Sequence, residues 1–563
     1  MPLILAIPIL MFLAMMKYLS PLLIAELLLS SFAISIFGLA TSIFSILVLR
    51  RYVGLGADST LVTLTIGVII ALVLENVLRR SRSSILEHIH QKVDRDLSMR
   101  TLAGFVQTEQ EALDNLSMAE KREILGAPQM ILGAFNPANL GAILDAPFAM
   151  VYLLVLWVAS PGIAICTALA CVMGLIVSVS GIYILKDPAA QASRFAAKGA
   201  ILGQFLSSAG EVIRAFSAMP IIRHQWEETQ GMSSEKRREV QAAQSYLQQA
   251  GALIASLLSV ATYAYGAKQV VLGHLDIGVL IGLNILSSRC FATLNRLNAM
   301  SEGIAKAKRA SMAFSDLLNL PLEAVKGIVP ASLSGGIEFT GVSISYPGQP
   351  LAVIEDLNLL VEPAKIVGIT GPNGAGKTSL IRTILGLRHP AKGLIKVDGM
   401  EMRQLVPQWW RQQIAYAPQD LHFFEGTIKE NMLVRQPDFS EEELLKLCEV
   451  TGLSTFLLSR PEGLQTTIAG TGDHLPMGVR RRMALIRAMV GPSKIVLFDE
   501  PTEALDAMGM QSVAQLLNMM ARQKKTVFIA TNEAFILQAC DQVIHLDSSP
   551  RYKVVLAGNK GSL

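Results

Sequence analysis

Two hydrophobic regimes divide the chain. Up to about residue 300 the pattern is one of long uncharged runs; beyond residue 336 short apolar strands alternate with amphipathic segments. Leu27–Leu49 has no charged residue and is long enough to cross a bilayer as a helix. Ser59–Leu74 reaches spanning length if Glu75 lies near an interface. Ala146–Leu185 is uncharged throughout its 40 residues. One helix of that length would extend about 60 Å, roughly twice the hydrocarbon thickness. The run is therefore predicted to form two helices with a turn at Pro161-Gly162. Ala250–Ala267 is a fifth span. Ile277–Ser288 is shorter and ends at Arg289, so the pattern leaves two readings open: a sixth span, or a core helix of the soluble part.

Basic residues orient the spans. Arg79, Arg80, Arg82, Lys92, Arg95 and Arg100 follow the second, and Lys186, Arg194, Lys198, Arg237 and Arg238 follow the fourth. The turn between spans three and four is uncharged, and Arg50 and Arg51 are a modest counter-signal. Six spans with both termini in the cytoplasm satisfy most of this pattern. The two basic connections, roughly 79–145 and 186–249, read as helical continuations of the membrane helices. Asp145, Arg289 and Arg296 lie near span ends, where interfacial anchoring is the expected role and lining a path the alternative. Met1–Met16 has no basic residue ahead of it and no small-residue cleavage site after it. It is expected to be an interfacial helix rather than a cleaved signal peptide.

Composition sharpens this picture. The 563 residues are 51% hydrophobic and 17% charged, against about 25% charged in soluble domains, so part of the chain should meet lipid. A net charge of +4 without an Arg/aromatic stripe argues against nucleic acid as a partner. The five cysteines form no CxxC pair, so neither a disulfide framework nor a zinc site is indicated.

The chemistry is concentrated in the second regime. Gly371-Pro-Asn373-Gly374-Ala-Gly376-Lys377-Thr378 fits GxxxxGK[ST], after the apolar strand Ile366–Thr370 and before a helix-like SLIRTILGL. That is the context the motif requires. Glycines let backbone N–H groups turn inward around phosphates, and the helix N-terminus adds positive potential. Lys377 can reach the outer phosphates and Thr378 can hold magnesium. Further on, Ile495-Val-Leu-Phe-Asp499-Glu500 brings two carboxylates to a strand end. Asp499 is suited to magnesium, through water, and Glu500 to polarising an attacking water.

From Gly336 onward the chain resembles the nucleotide-binding domain of ATP-binding cassette (ABC) transporters. The resemblance implies an α/β P-loop (RecA-like) domain with an antiparallel β subdomain and a helical subdomain, behind an all-α six-helix transmembrane domain. It strengthens the sixth span. It divides the chain into an N-terminal segment (1–20), a transmembrane domain (21–315), a linker (316–332) and a cassette (333–563). It implies ATP and Mg²⁺ as cofactors. It gives Tyr346 the aromatic position that stacks on adenine, and gives Ser379 a place beside Thr378 at the nucleotide. It gives Gln419 the magnesium-sensing glutamine and Asp506 the loop that crosses between two cassettes. LDAPFAMVYLLVLW, GEVIRAFSAMPIIRHQW, DIGVLIGLNILSSR and FEGTIKENM are similar to the type I secretion exporters. That likeness implies polypeptide export across a bacterial inner membrane. It also implies a second half-transporter, a periplasmic adaptor and an outer-membrane channel as partners.

Two departures stand out. The family's phosphate-contacting Leu-Ser-Gly-Gly-Gln is here Leu475-Pro476-Met477-Gly478-Val479. Proline removes a hydroxyl and a backbone donor, and methionine puts a side chain where phosphate should come close. Asn532 occupies the position of a histidine that contacts the γ phosphate; its amide can donate a hydrogen bond but cannot become cationic. The expectation is a heterodimer in which a partner supplies the intact signature. A slow homodimeric exporter, or a membrane subunit that binds ATP as a switch, are the alternatives.

Overall fold

The computed structural model describes residues 20–53, 58–346, 351–548 and 551–556. The expected N-terminal interfacial segment lies outside these, apart from Ser20. The chain forms two compact units, one from Met1–Val106 with Leu116–Leu320, the other from Gln107–Asn115 with Pro321–Leu563. Gln107–Asn115, which the sequence places in the membrane half, packs with the second unit.

The first unit is all helical. Six segments are long and apolar enough to cross a membrane: Pro21–Val53, Ser59–Gln107, Pro137–Ala159, Pro161–Ser208, Met219–Val271 and Ile277–Asn295. The 40-residue uncharged run breaks at Ser160, where the backbone is extended and Pro161 opens the next helix. Proline suits a first turn because its missing N–H would have no helical partner there. Ile277–Asn295 is helical throughout and buries Leu283, Leu286, Cys290 and Phe291 against the bundle, so the shortest run is a sixth span. The basic connections continue the membrane helices: Asp58–Gln107, Pro161–Ser208 and Met219–Val271 are each about 50 residues long.

Two features of this unit were not foreseen. The first span is interrupted at Gly38, where an added Cβ would lie 2.4 Å from the Tyr152 hydroxyl. The carbonyl of Gly38 accepts from Arg289 Nη1 at 2.7 Å. Asp145 is not an interfacial anchor, because it is 4% exposed and paired with the equally buried Arg82. Arg82 Nη1 also donates to Ser31 at 2.7 Å. Glu75, likewise buried, accepts from Arg79 and from Arg289, both at 2.8 Å. Charges this deep survive only when paired and hydrogen-bonded, which is the arrangement here.

The second unit contains two main sheets. Strands β1 (Ile337–Ile344), β2 (Ile354–Val361), β4 (Lys392–Val397) and β5 (Met400–Glu401) make an antiparallel sheet of order β2-β1-β4-β5. Strands β3 (Ile366–Thr370), β6 (Ile414–Ala417), β9 (Ile495–Asp499), β10 (Thr526–Ala530), β11 (Gln542–Ser548) and β12 (Arg551–Leu556) make the other, of order β12-β11-β3-β10-β9-β6. All pairings in it are parallel except β11 with β12. β3, β9 and β10 are buried at every position, which explains their unbroken apolar runs. A third region packs helices Ile428–Met432, Glu441–Val450, Ser454–Leu458 and Met477–Met489 around Ile428, Leu444 and Met483. Its small sheet pairs β7 (Gly426–Thr427) with β8 (Thr467–Ile468).

Candidate functional site

The neighbouring carboxyl ends of β3, β10 and β9 converge on one cleft, as expected for ligands of parallel sheets. After β3 the chain turns through Gly371, Gly374 and Gly376, with φ of 152°, 84° and 104°. At Gly376 a Cβ would also lie 2.6 Å from Val353, so only glycine fits. Helix Lys377–Ile384 starts there. Every residue read as nucleotide-binding, other than Gly371, lines this cleft of about 390 Å³: Tyr346, Asn373, Gly374, Gly376, Lys377, Thr378, Ser379 and Gln419, joined by Val353 and Glu500.

The polar contacts divide into satisfied and unsatisfied groups. Lys377 is 7% exposed; its Nζ donates to the Gly371 carbonyl at 2.7 Å and lies 3.2 Å from Glu500 Oε1. Thr378 Oγ1 donates to Asp499 Oδ1 at 3.3 Å. Asp499 is fully buried and its Oδ2 has no hydrogen-bond partner. Burial raises its pKa, against the opposing bond from Thr378. Burial, and then the charge of Asp499, also push Tyr416 to about 12. A buried, unpartnered carboxylate oxygen beside a threonine hydroxyl is a donor set that suits a hard divalent cation. Glu500 has φ +48°, a strained conformation for this residue, with its N–H donating to Ala530 O at 2.9 Å.

Asn532, just past β10, is anchored: its Oδ1 accepts from Thr370 Oγ1 at 2.9 Å and from the Gly371 N–H at 3.2 Å. Asp506 caps helix Ala507–Arg522 through the Gly509 N–H and pairs with Arg482 at 2.7 Å.

The signature segment stays away from the phosphate loop of its own chain. Leu475 and Val479 are buried in the helical region. Pro476 caps helix Met477–Met489 with no side-chain bond. Met477 is 46% exposed and lines a separate cavity with Gln419, Arg481 and Glu503.

Sequence reasoning missed Arg481, Glu503 and Arg388. Arg481 is 2% exposed. It donates to the carbonyls of Pro418, Gln419 and Glu503 and to Glu503 Oε2 at 3.1 Å. Burial lowers its pKa, offset by the charge of Glu503. A signal existed: 481, 485 and 488 fall on one helical stripe, and Leu485 and Ala488 are fully apolar and buried. Glu503 and Arg388 carried no local signal.

These observations define an ABC-type ATPase cassette following six membrane spans, the architecture of an ABC exporter half-transporter. Comparison with known proteins agrees: residues 354–503 match the ABC transporter family. The Toxin RTX-I translocation ATP-binding protein of Actinobacillus pleuropneumoniae is 25% identical, over 95% of this chain and 76% of its own. The exotoxin translocation ATP-binding protein PaxB of Pasteurella aerogenes is 24% identical, over 93% and 73%. A bacterial Atm1-family ABC exporter solved with ATP bound shares the fold, with a TM-score of 0.84, 18% identity and 96% of each chain covered. The chain is a multi-pass protein of the inner membrane with a cytoplasmic cassette.

Proposed function

We propose that this chain binds Mg-ATP in the cleft at the end of β3 and uses its hydrolysis to export a polypeptide, as one half of an asymmetric dimer. The observation that carries the reading is the orphaned, buried Asp499 Oδ2 beside Thr378, next to a glycine-built loop that ends in Lys377. Thr378 and Asp499, with Gln419, would hold magnesium; when bound, the ion neutralises phosphate charge. Backbone N–H groups of the loop and Lys377 bind the outer phosphates. Tyr346 meets the base. Glu500, held by its strained backbone, accepts the proton of the attacking water.

The asymmetry rests on what the chain offers to a facing cassette. Pro476 presents no hydroxyl and no N–H, and the exposed Met477 takes the place of a close backbone approach. Losing one preorganised donor to developing charge costs about 10²–10³ in rate. A partner with an intact signature would complete the site made by Lys377 and Glu500. The partner's own nucleotide would meet Pro476 and Met477 and turn over slowly. The toxin translocation proteins it is similar to motivate polypeptide cargo and a periplasmic adaptor with an outer-membrane channel. Asn532 favours a second reading, an ATP-binding subunit with little hydrolysis: its Oδ1 is anchored to the loop, and its amide N–H can donate to phosphate but cannot supply the positive charge of a protonated histidine.

Gentle purification of the tagged full chain, identification of what accompanies it, and ATPase assays with and without that companion test the proposal. A second half-transporter with an intact signature should copurify and raise turnover by at least about tenfold. Brisk turnover by the chain alone contradicts the asymmetry, and nucleotide closure without turnover in any combination supports the second reading.

A further inference from the structure

Arg388 follows the helix of the phosphate loop and is 5% exposed. Its guanidinium carbon stands 4.1 Å from the centroid of the Tyr346 ring. Its Nη1 lies 3.3 Å from Glu111 Oε1 and donates to Ser345 O at 3.3 Å. The next N–H, of His389, donates to Glu111 Oε2 at 3.3 Å. One carboxylate of Gln107–Asn115 therefore grips both the side chain at 388 and the backbone at 389. On its other side, the Tyr346 hydroxyl shares a 2.7 Å hydrogen bond with Ser379. Two groups thus fix this ring directly, Arg388 and Ser379, and Arg388, with the Glu111 that holds it, has no part in the reading above.

We propose that Arg388 is a positioning residue for Tyr346, set in place by Glu111, so that the ring is ordered before the adenine base arrives. The proposal rests on the reading of the cleft as an ATP site and adds a control of it. A guanidinium over one face leaves a single face for the base and holds the ring in one orientation. A ring already ordered costs the incoming base less to engage. Glu111 holds the buried guanidinium where it can act.

The effect must fall on the base and spare the phosphates. Calorimetry on the full chain in nanodiscs, with Mg-ATP and with baseless Mg-tripolyphosphate, separates the two. Arg388→Ala should weaken ATP by about three- to thirtyfold and leave tripolyphosphate unchanged. Arg388→Lys keeps the charge without the planar stack and should fall between. Glu111→Ala should show the same base-only loss, smaller in size. Equal losses for both ligands in Glu111→Ala, or ATP affinity unchanged in both alanine variants, overturns the proposal. Wild-type chain that binds tripolyphosphate but discriminates no base also overturns it. Wild-type chain that binds neither removes the ATP-site reading itself.

Discussion

The phosphate loop with its carboxylates and the signature segment are two halves of the same chemistry, and this chain builds them in opposite ways. Around Lys377 the backbone is strained and a polar atom is left over: Glu500 sits at φ +48° and Asp499 Oδ2 is buried without a partner. Around Met477 no carboxylate is left over: Leu475 and Val479 are absorbed into an apolar cluster, Pro476 offers no donor, and the buried atoms without a partner are the Nε donors of Arg480 and Arg482. Strain and unsatisfied polar groups persist where a ligand completes them. On the proposed reading, the first half meets nucleotide within this chain and the second serves chiefly its fold.

Breaking the first half should have the largest effect. Glu500→Gln is expected to lower ATP turnover by about 10²–10⁴-fold while leaving ATP binding intact, read by hydrolysis and binding assays on the same preparation. Asp499→Asn should separate binding from stability. It removes a buried charge without a full set of partners, so the nucleotide-free chain should gain on the order of 1 kcal/mol in thermal unfolding, while Mg²⁺-dependent ATP affinity falls. The raised pKa of Asp499 sets the direction with pH. Its carboxylate protonates at a higher pH than an ordinary aspartate, so Mg²⁺-dependent binding should weaken on acidification before exposed carboxylates titrate, and recover as pH rises. A titration of Mg-ATP affinity in wild-type and Asp499→Asn chains checks this, because only the wild type should show the transition.

Arg481 tests whether the signature half is scaffold. Arg481→Ala leaves the carbonyls of Pro418 and Gln419 without this donor, and should destabilise the cassette by about 2–4 kcal/mol, seen in denaturant unfolding. Met477→Ala, at an exposed position, should change stability by less than about 0.5 kcal/mol.

What could be read from the sequence follows physical locality. The phosphate loop and Asp499-Glu500 are runs of adjacent residues whose neighbours dictate strand, loop and helix. The spans were legible because a bilayer demands unbroken apolar length, and even the break before Pro161 left its mark. Contacts between distant residues left none. Gly38 interrupts a helix because Tyr152 packs there and Arg289 takes its carbonyl. Asp145 is buried because Arg82 waits 63 positions earlier. Arg388 meets Glu111 across 277 positions, and no local pattern at either site announces it.

The most direct measurement of the central claim is steady-state ATP turnover by the purified chain alone, compared with the same chain carrying Pro476→Ser and Met477→Gly together. If the altered signature is what limits this chain in its own company, the double variant should hydrolyse ATP at least about tenfold faster, with both activities abolished by Glu500→Gln. Equal turnover in the two chains, or wild-type turnover already at the level of the repaired one, contradicts the account.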